Sequence, residues 1–117
     1  MKKNIVTGKN LIVENLYRRN CREEFDQNGV LSKFDPVYQS NFNFAYDVVD
    51  QIANIQPNRR AMIWTNDLGE EETFTFGDMK HYSDRAAAML QTHGVQKGDM
   101  VMLVLKRHYQ FWFAILA

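Results

Sequence analysis

Only one cysteine, Cys21, stands among the 117 residues, so no internal disulfide can staple the fold. A lone thiol favours a reducing compartment, and a cytoplasmic location is the expectation. Net charge is missing as well: 14 lysines and arginines balance 14 aspartates and glutamates. Such a balance gives no long-range pull toward nucleic acid or anionic membrane, and the pairs Lys2-Lys3 and Arg18-Arg19 read as solvated surface. No apolar run approaches the roughly 20 residues that cross a bilayer. Lys2 and Lys3 lead into Thr7, Gly8, Lys9 and Asn10 rather than into a continuous apolar signal region. The six glycines are scattered, and none belongs to a G-x-x-x-x-G-K loop of the kind that wraps phosphate.

Chemistry is equally sparse. His81, His93 and His108 lack the short paired spacing of a zinc site, and one cysteine cannot supply a Cys-rich cluster. Ser83 and Asp84 are neighbours on an expected helix and are placed on its exposed side, where adjacent residues do not form a nucleophile-base pair. Cys21 falls in an apolar stripe and reads as packing. Glu70, Glu71 and Glu72 read as an acidic loop tip whose side chains repel one another and do not converge on one ion. No catalytic, cofactor-binding or metal-binding residue is assigned from pattern.

What the chain does carry is periodicity. Val13, Tyr17, Cys21 and Phe25 recur at i+4 with Leu16 beside them, and Gly29 stands where a helix would stop, which predicts an amphipathic helix. Residues 32–43, with Pro36, read as a connector. A second helix is predicted from an Asn43 cap, with Asp47 near its positive end. Its apolar stripe is Phe44, Val48, Ile52 and Ile55, widened by Ala45, Val49 and Ala53, and Pro57 marks its exit. Residues 61–65 and 73–76 are β-rich and predict a hairpin across the 66–72 loop, with Phe74 and Phe76 on one face. Thr75 lies three residues before Asp78, a variant capping box, and Met79, Tyr82, Ala86, Met89 and Leu90 then follow at helical spacing until Gly94.

After a Lys97-Gly98-Asp99 turn, residues 100–105 are apolar at every position, which predicts a central, parallel strand covered on both faces. A chain of this length hardly supplies both layers. The run Phe111-Trp112-Phe113-Ala114-Ile115-Leu116-Ala117 then closes the sequence with apolar surface and no cap. Both features predict the front end of a longer α/β protein. The same exposed terminal surface predicts self-association of this chain.

Four blocks occur in a telling order: Phe42-Asn43-Phe44-Ala45-Tyr46-Asp47-Val48-Val49-Asp50, Arg60-Ala61-Met62-Ile63-Trp64, Phe74-Thr75-Phe76-Gly77-Asp78-Met79 and Gly94-Val95-Gln96-Lys97-Gly98-Asp99-Met100-Val101. In that order and spacing the chain resembles the start of AMP-forming acyl-CoA synthetases, most closely the branch acting on acetate-like to medium-chain acids. The resemblance covers residues 41–117. It implies the opening of an adenylate-forming large domain, incomplete here, preceded over 1–40 by a helical extension and connector.

The resemblance further implies a two-step ligase. A carboxylate attacks the α-phosphate of ATP to give an acyl adenylate and pyrophosphate, and the thiol of coenzyme A then displaces AMP. Magnesium and positive side chains would stabilise the phosphate charge. The family's phosphate loop, aromatic-Thr-Glu segment, ribose-binding aspartate and late lysine would lie beyond Ala117, so the fragment alone is expected to be inactive and none of its residues inherits a role. Gly98-Asp99 matches the turn before an early strand, not the ribose-binding motif. The chain departs from the family at Lys106-Arg107-His108-Tyr109-Gln110-Phe111-Trp112, where the usual prolines are missing; Arg107 and Trp112 keep the ends of that motif. Arg107 is the one residue there with a possible ligand-facing position, against the ordinary reading of an arginine reaching solvent. A second class stays open, a non-catalytic interaction module that docks a partner through its apolar C-terminal segment.

Overall fold

The computed structural model describes residues 11–117, with side chains from Asn15 onward. The Lys2-Lys3 pair, the Thr7 to Asn10 stretch and the side chain of Val13 lie outside the described residues. Two compact units divide the chain, Met1–Phe42 and Asn43–Ala117.

In the first unit, helix α1 (Leu11–Asn20) gives way to a hairpin of β1 (Cys21–Phe25) and β2 (Leu31–Pro36). The expected helix therefore stops at Asn20, and part of the expected connector is a strand. Position i+4 is a multiple of two as well as one helical turn, so Cys21 and Phe25 share a face in either geometry. The turn decides between them. Asp26 Oδ1 accepts the amides of Asn28 and Val30 at 2.8 and 2.9 Å, the Asp26 carbonyl accepts the Gly29 amide at 3.0 Å, and Gly29 takes φ +77°. Arg22 then faces Asp35 and Glu24 faces Lys33, whose Nζ lies 2.8 Å from Asp35, so one side of the ribbon is charged. Cys21, Glu23, Phe25 and Phe34 take the other side.

The second unit opens with Asn43, whose Oδ1 caps the amides of Ala45 and Tyr46 while Asp47 Oδ2 accepts the Asn43 amide at 2.7 Å. That reciprocal bond spans four residues, and a π-helical turn (Ala45–Asp50) follows before helix α2 (Gln51–Ile55). The wide turn shifts the phase of the helix. Ala45, Val49, Ile52 and Ala53 are buried, whereas Phe44 and Ile55 from the expected stripe are 57% and 59% exposed.

Strands β3 (Arg60–Thr65) and β4 (Glu71–Thr75) form the expected hairpin, antiparallel, with a register shift near Ala61. Its loop repeats the first: Asn66 Oδ1 accepts the amides of Leu68 and Glu70, both at 3.0 Å, and Gly69 takes φ +80°. Glu71 and Glu72 are strand residues opposite Thr65 and Trp64, so the three glutamates are not one loop tip. Phe76 is the first residue of helix α3 (Phe76–Thr92) rather than a strand partner of Phe74, though both reach the core.

Helix α3 carries the capping box that the sequence predicts. The Asp78 amide donates to Thr75 Oγ1 at 3.1 Å, and the Asp78 carboxylate accepts from the Thr75 amide at 2.8 Å and from its hydroxyl at 2.7 Å. Gly77 is needed for closeness: a Cβ there would stand 3.1 Å from the Pro57 carbonyl, which accepts the Gly77 amide. The helix ends at Gly94 (φ +86°), with the amides of Val95 and Gly94 donating to the carbonyls of Leu90 and Gln91, a Schellman closure. Ser83, expected on the exposed side, is buried at 4% and donates to the Lys80 carbonyl at 3.0 Å.

The hydrogen bonds from Thr75 hold the Asp78 carboxyl below its ordinary value. A depressed folded pKa adds stability above the unfolded carboxylate value of about 3.9, and that stability is lost as pH falls through the lowered folded value. Thr75→Val should therefore lower stability by about 1 kcal/mol at neutral pH. Urea midpoints of wild type and variant should draw together in acid as Asp78 takes up its proton; a gap that stays constant with pH would sink this account.

Residues 100–105 form no ladder with any described strand; the two sheets are the two hairpins. The segment is not the covered central strand that its composition predicts, because a strand apolar on both sides needs neighbours at its edges and layers over its faces. Helix α4 (Gln110–Leu116) follows and returns to α3. The architecture of the described residues is thus helices with two small antiparallel sheets.

Candidate functional site

The best-organised feature outside regular structure is the corner at residues 106–109, between the apolar segment and α4. It is held from behind by aromatic side chains. Trp64, on β3, donates its indole N–H to the Arg107 carbonyl at 2.6 Å. The Tyr109 ring stands edge-on to Trp64 with centroids 5.3 Å apart and lies 4.9 Å from Phe74. Phe113 is buried, 5.3 Å from Phe74 and stacked at 4.8 Å on Tyr82. Each ring buries apolar area while the indole N–H finds an acceptor. The His108 amide donates to the Lys106 carbonyl at 2.8 Å, which tightens the bend.

This corner presents Lys106, Arg107 and His108 on its exposed side. Arg107 thus contributes a fixed carbonyl inward while its residue as a whole is exposed. Trp64→Phe keeps the ring and removes the N–H, with an expected loss of about 1 kcal/mol. Amide exchange at His108 should quicken several-fold; unchanged exchange would mean that the corner does not depend on the indole.

The remaining candidates disperse. His81 lies against Tyr82, with ring centroids 5.2 Å apart, on the outside of α3. His93 Nδ1 is 2.8 Å from the Met89 carbonyl, so a proton on that nitrogen closes the end of the helix. Asp84 pairs with Lys80 at 2.9 Å and has no contact with a histidine among those described. Lys80 also reaches Asp50 at 3.0 Å and so ties α3 to the π-helical turn. These carboxylates, Asp84 first and then Asp50, raise the Lys80 pKa.

In the first unit a concavity of about 460 Å³ is lined by Tyr17, Arg18, Cys21, Glu23 and Phe25. Tyr17 donates its hydroxyl to Glu23, and that bond, with burial and the Glu23 charge, pushes the phenol up to about 12. Cys21 is half-buried there and not disulfide-bonded. A phenol held protonated beside a carboxylate is a hydrogen-bond pair and not a general base at neutral pH.

The sequence reading missed Trp64 and Tyr109 as anchors of the corner. The available signal was an indole in a strand, which must find an acceptor when packed. Among the described residues, no three His, Cys, Asp or Glu side chains gather as ion ligands, and no helix is long and apolar enough to cross a membrane.

Comparison with known proteins places these elements. A family model described as "AMP-binding enzyme" matches residues 49–117. Acyl-coenzyme A synthetase ACSM5, mitochondrial, from Rattus norvegicus is 37% identical over 82 residues, which is 65% of this chain and 14% of the relative. The 4-hydroxybutyrate–CoA ligase 1 of Metallosphaera sedula is 33% identical over 78 residues, 65% of this chain and 14% of its own length. Acetyl-coenzyme A synthetase from Bacillus subtilis is 32% identical over 75 residues, 63% of this chain and 13% of the relative. The chain thus spans about 14% of the length of the first of these relatives.

Proposed function

Because the chain belongs to the AMP-binding enzyme family, we propose that it is the front part of an ATP-dependent acid–thiol ligase, which forms an acyl adenylate and passes the acyl group to coenzyme A. The observation that carries this is the family match over residues 49–117 together with relatives named as CoA ligases and synthetases. The substrate in this reading is a short- to medium-chain carboxylic acid, acetate among the candidates. Residues 41–117 begin the large domain, and residues 1–40 are an extension to it.

Among the described residues no group of three ligating side chains occurs, and the glycines with positive φ stand singly in four separate turns. No step is therefore assigned to a residue of this chain. Its contribution is to pack the aromatic scaffold behind the 106–109 corner.

The parent protein should exchange pyrophosphate into ATP only when a suitable acid is present, and the 117-residue chain should give no heat on titration with ATP. Acid-independent exchange would remove the ligase reading. ATP binding by the short chain would remove the claim that the nucleotide site lies elsewhere. A cytoplasmic location belongs to the same proposal and rests on the cysteine usage; fractionation of the parent tests it, since the relative from Rattus norvegicus carries "mitochondrial" in its name. A second reading, an interaction module, is favoured by Trp112 and Ile115, which stay 50% and 57% exposed on α4 beside the buried Phe113. Self-association of the short chain through that apolar end belongs to it.

A further inference from the structure

The side-chain amide most open to covalent chemistry lies in the turn between β1 and β2. Of the ten asparagines in the sequence, only Asn28 stands before a glycine. Asn28 is exposed, and among the described residues nothing partners its side-chain amide. Gly29 leaves its own nitrogen unshielded, since even a Cβ placed there would meet nothing within 4 Å. At the other nine asparagines a side chain on the following residue crowds that approach. Nor does the turn call for an asparagine at this position. Gly29 needs its freedom to take φ +77°, but no described residue other than glycine has a positive φ. The matching turn at Asn66 puts Leu68 before its own glycine, with Gly69 at φ +80°. The Asn28 amide is thus a reactive group that the fold does not use.

We propose that Asn28 is a site of spontaneous covalent modification, deamidation through a succinimide with Gly29, and that the hydrogen bonds of Asp26 hold the reaction back. The Gly29 nitrogen loses its proton to hydroxide and attacks Asn28 Cγ. A bond from that nitrogen to Cγ forms, the bond from Cγ to the side-chain nitrogen breaks, and ammonia leaves. Water then opens the ring at one of its two carbonyls. Breaking the new bond to Cγ gives aspartate; breaking the original peptide bond gives iso-aspartate. No oxidant, reductant or cofactor takes part.

In the closed turn the attack is restrained. The Gly29 N–H donates to the Asp26 carbonyl at 3.0 Å, so the proton that must leave is held. Asp26 Oδ1 accepts the amides on either side, from Asn28 at 2.8 Å and from Val30 at 2.9 Å. The Gly29 nitrogen swings toward Cγ only when these bonds open, so the rate follows the population of the open turn. Iso-aspartate adds a carbon to the backbone inside a five-residue loop, and the bonds to Asp26 cannot then all re-form. The hairpin is left with a loosened end and a new carboxylate beside Asp26. Nothing in this chemistry depends on the ligase assignment.

The test incubates the 117-residue chain in mildly alkaline buffer and follows each asparagine by peptide mapping with mass spectrometry, iso-aspartate being separated from aspartate by chromatography. Asn28 should convert, with iso-aspartate among the products, while Asn66 stays intact. Asp26→Ala, checked by circular dichroism, should convert about tenfold faster, because two of the bonds that close the turn are gone. Asp26→Asn keeps an acceptor oxygen without the charge and should stay close to wild type. In urea, where no turn persists, wild type and both variants should converge on one faster rate. That arm reads the intrinsic reactivity whether or not Asp26→Ala folds. A chain in which Asn28 stays intact overturns the site, and aspartate without iso-aspartate overturns the succinimide route. Wild type reacting as fast in buffer as in urea overturns the restraint by Asp26, and so does Asp26→Asn matching Asp26→Ala. Conversion of Asn66 as fast as that of Asn28 overturns the selection by Gly29.

Discussion

Phe74→Ala is expected to remove about 3–5 kcal/mol from the Asn43–Ala117 unit. Phe74 is 9% exposed and is the one ring in contact with Tyr82, Tyr109 and Phe113 together. These partners come from α3, the corner and α4, so a cavity at this point is bordered by three elements that cannot all collapse into it. A unit of this size has roughly 4–11 kcal/mol of stability in total by the usual per-residue figure. The loss is therefore a large share of that total, and the urea midpoint should fall markedly. Urea denaturation followed by near-ultraviolet dichroism checks this; a midpoint within a few tenths of a molar of wild type would show that the aromatic group is not the core. Phe74→Leu should recover most of the loss, since it refills volume without restoring edge-to-face geometry.

The second large effect is expected from Lys80→Met, at about 1–3 kcal/mol. Lys80 sits between two carboxylates of unequal burial: the Asp50 side chain is 14% exposed and that of Asp84 is 56% exposed. Losing the Asp84 pair matters little, because an exposed i,i+4 pair contributes only a few tenths of a kcal/mol. Losing the Asp50 pair strands a largely buried charge. Asp50→Asn in the Lys80→Met background should then return part of the stability, because no carboxylate is left unpaired. If the double variant is no better than Lys80→Met, burial of Asp50 is not the cause. The raised Lys80 pKa has a directional consequence: its stabilisation is whole below the ordinary lysine value of about 10.4 and fades as pH rises through the higher folded value.

Legibility followed the range of the interaction. Thr75, Asp78 and Gly94 sit within one or two turns of what they cap, so α3 could be bounded from sequence alone. The first helix was overdrawn because Cys21 and Phe25 obey both periods, and the deciding Asp26 turn has no helical signature to contradict. The phase of the second helix turned on one reciprocal bond, from the Asn43 amide to Asp47, beside a wide turn that leaves Phe44 and Ile55 outside the buried row while Ala45, Val49, Ile52 and Ala53 stay in it. The composition of residues 100–105 was plain, but their neighbours were not, because a strand's surroundings are non-local. At the corner, the bond from Trp64 to Arg107 spans 43 residues, beyond any pattern of spacing.

The two matching five-residue turns, one begun by Asp26 and the other by Asn66, also set a clock. Each closes its hairpin over a short loop, and such hairpins form in about 1–10 microseconds once their strands are free. Phe74 and Tyr82 gain the ring of Phe113 only when it emerges, about forty residues after Phe74; at 5–20 residues per second that is a wait of roughly 2–8 s during synthesis. For those seconds the hairpin and α3 lack the side of the aromatic cluster that Phe113 supplies, so the moment at which the core closes is set by the chain distance between Phe74 and Phe113.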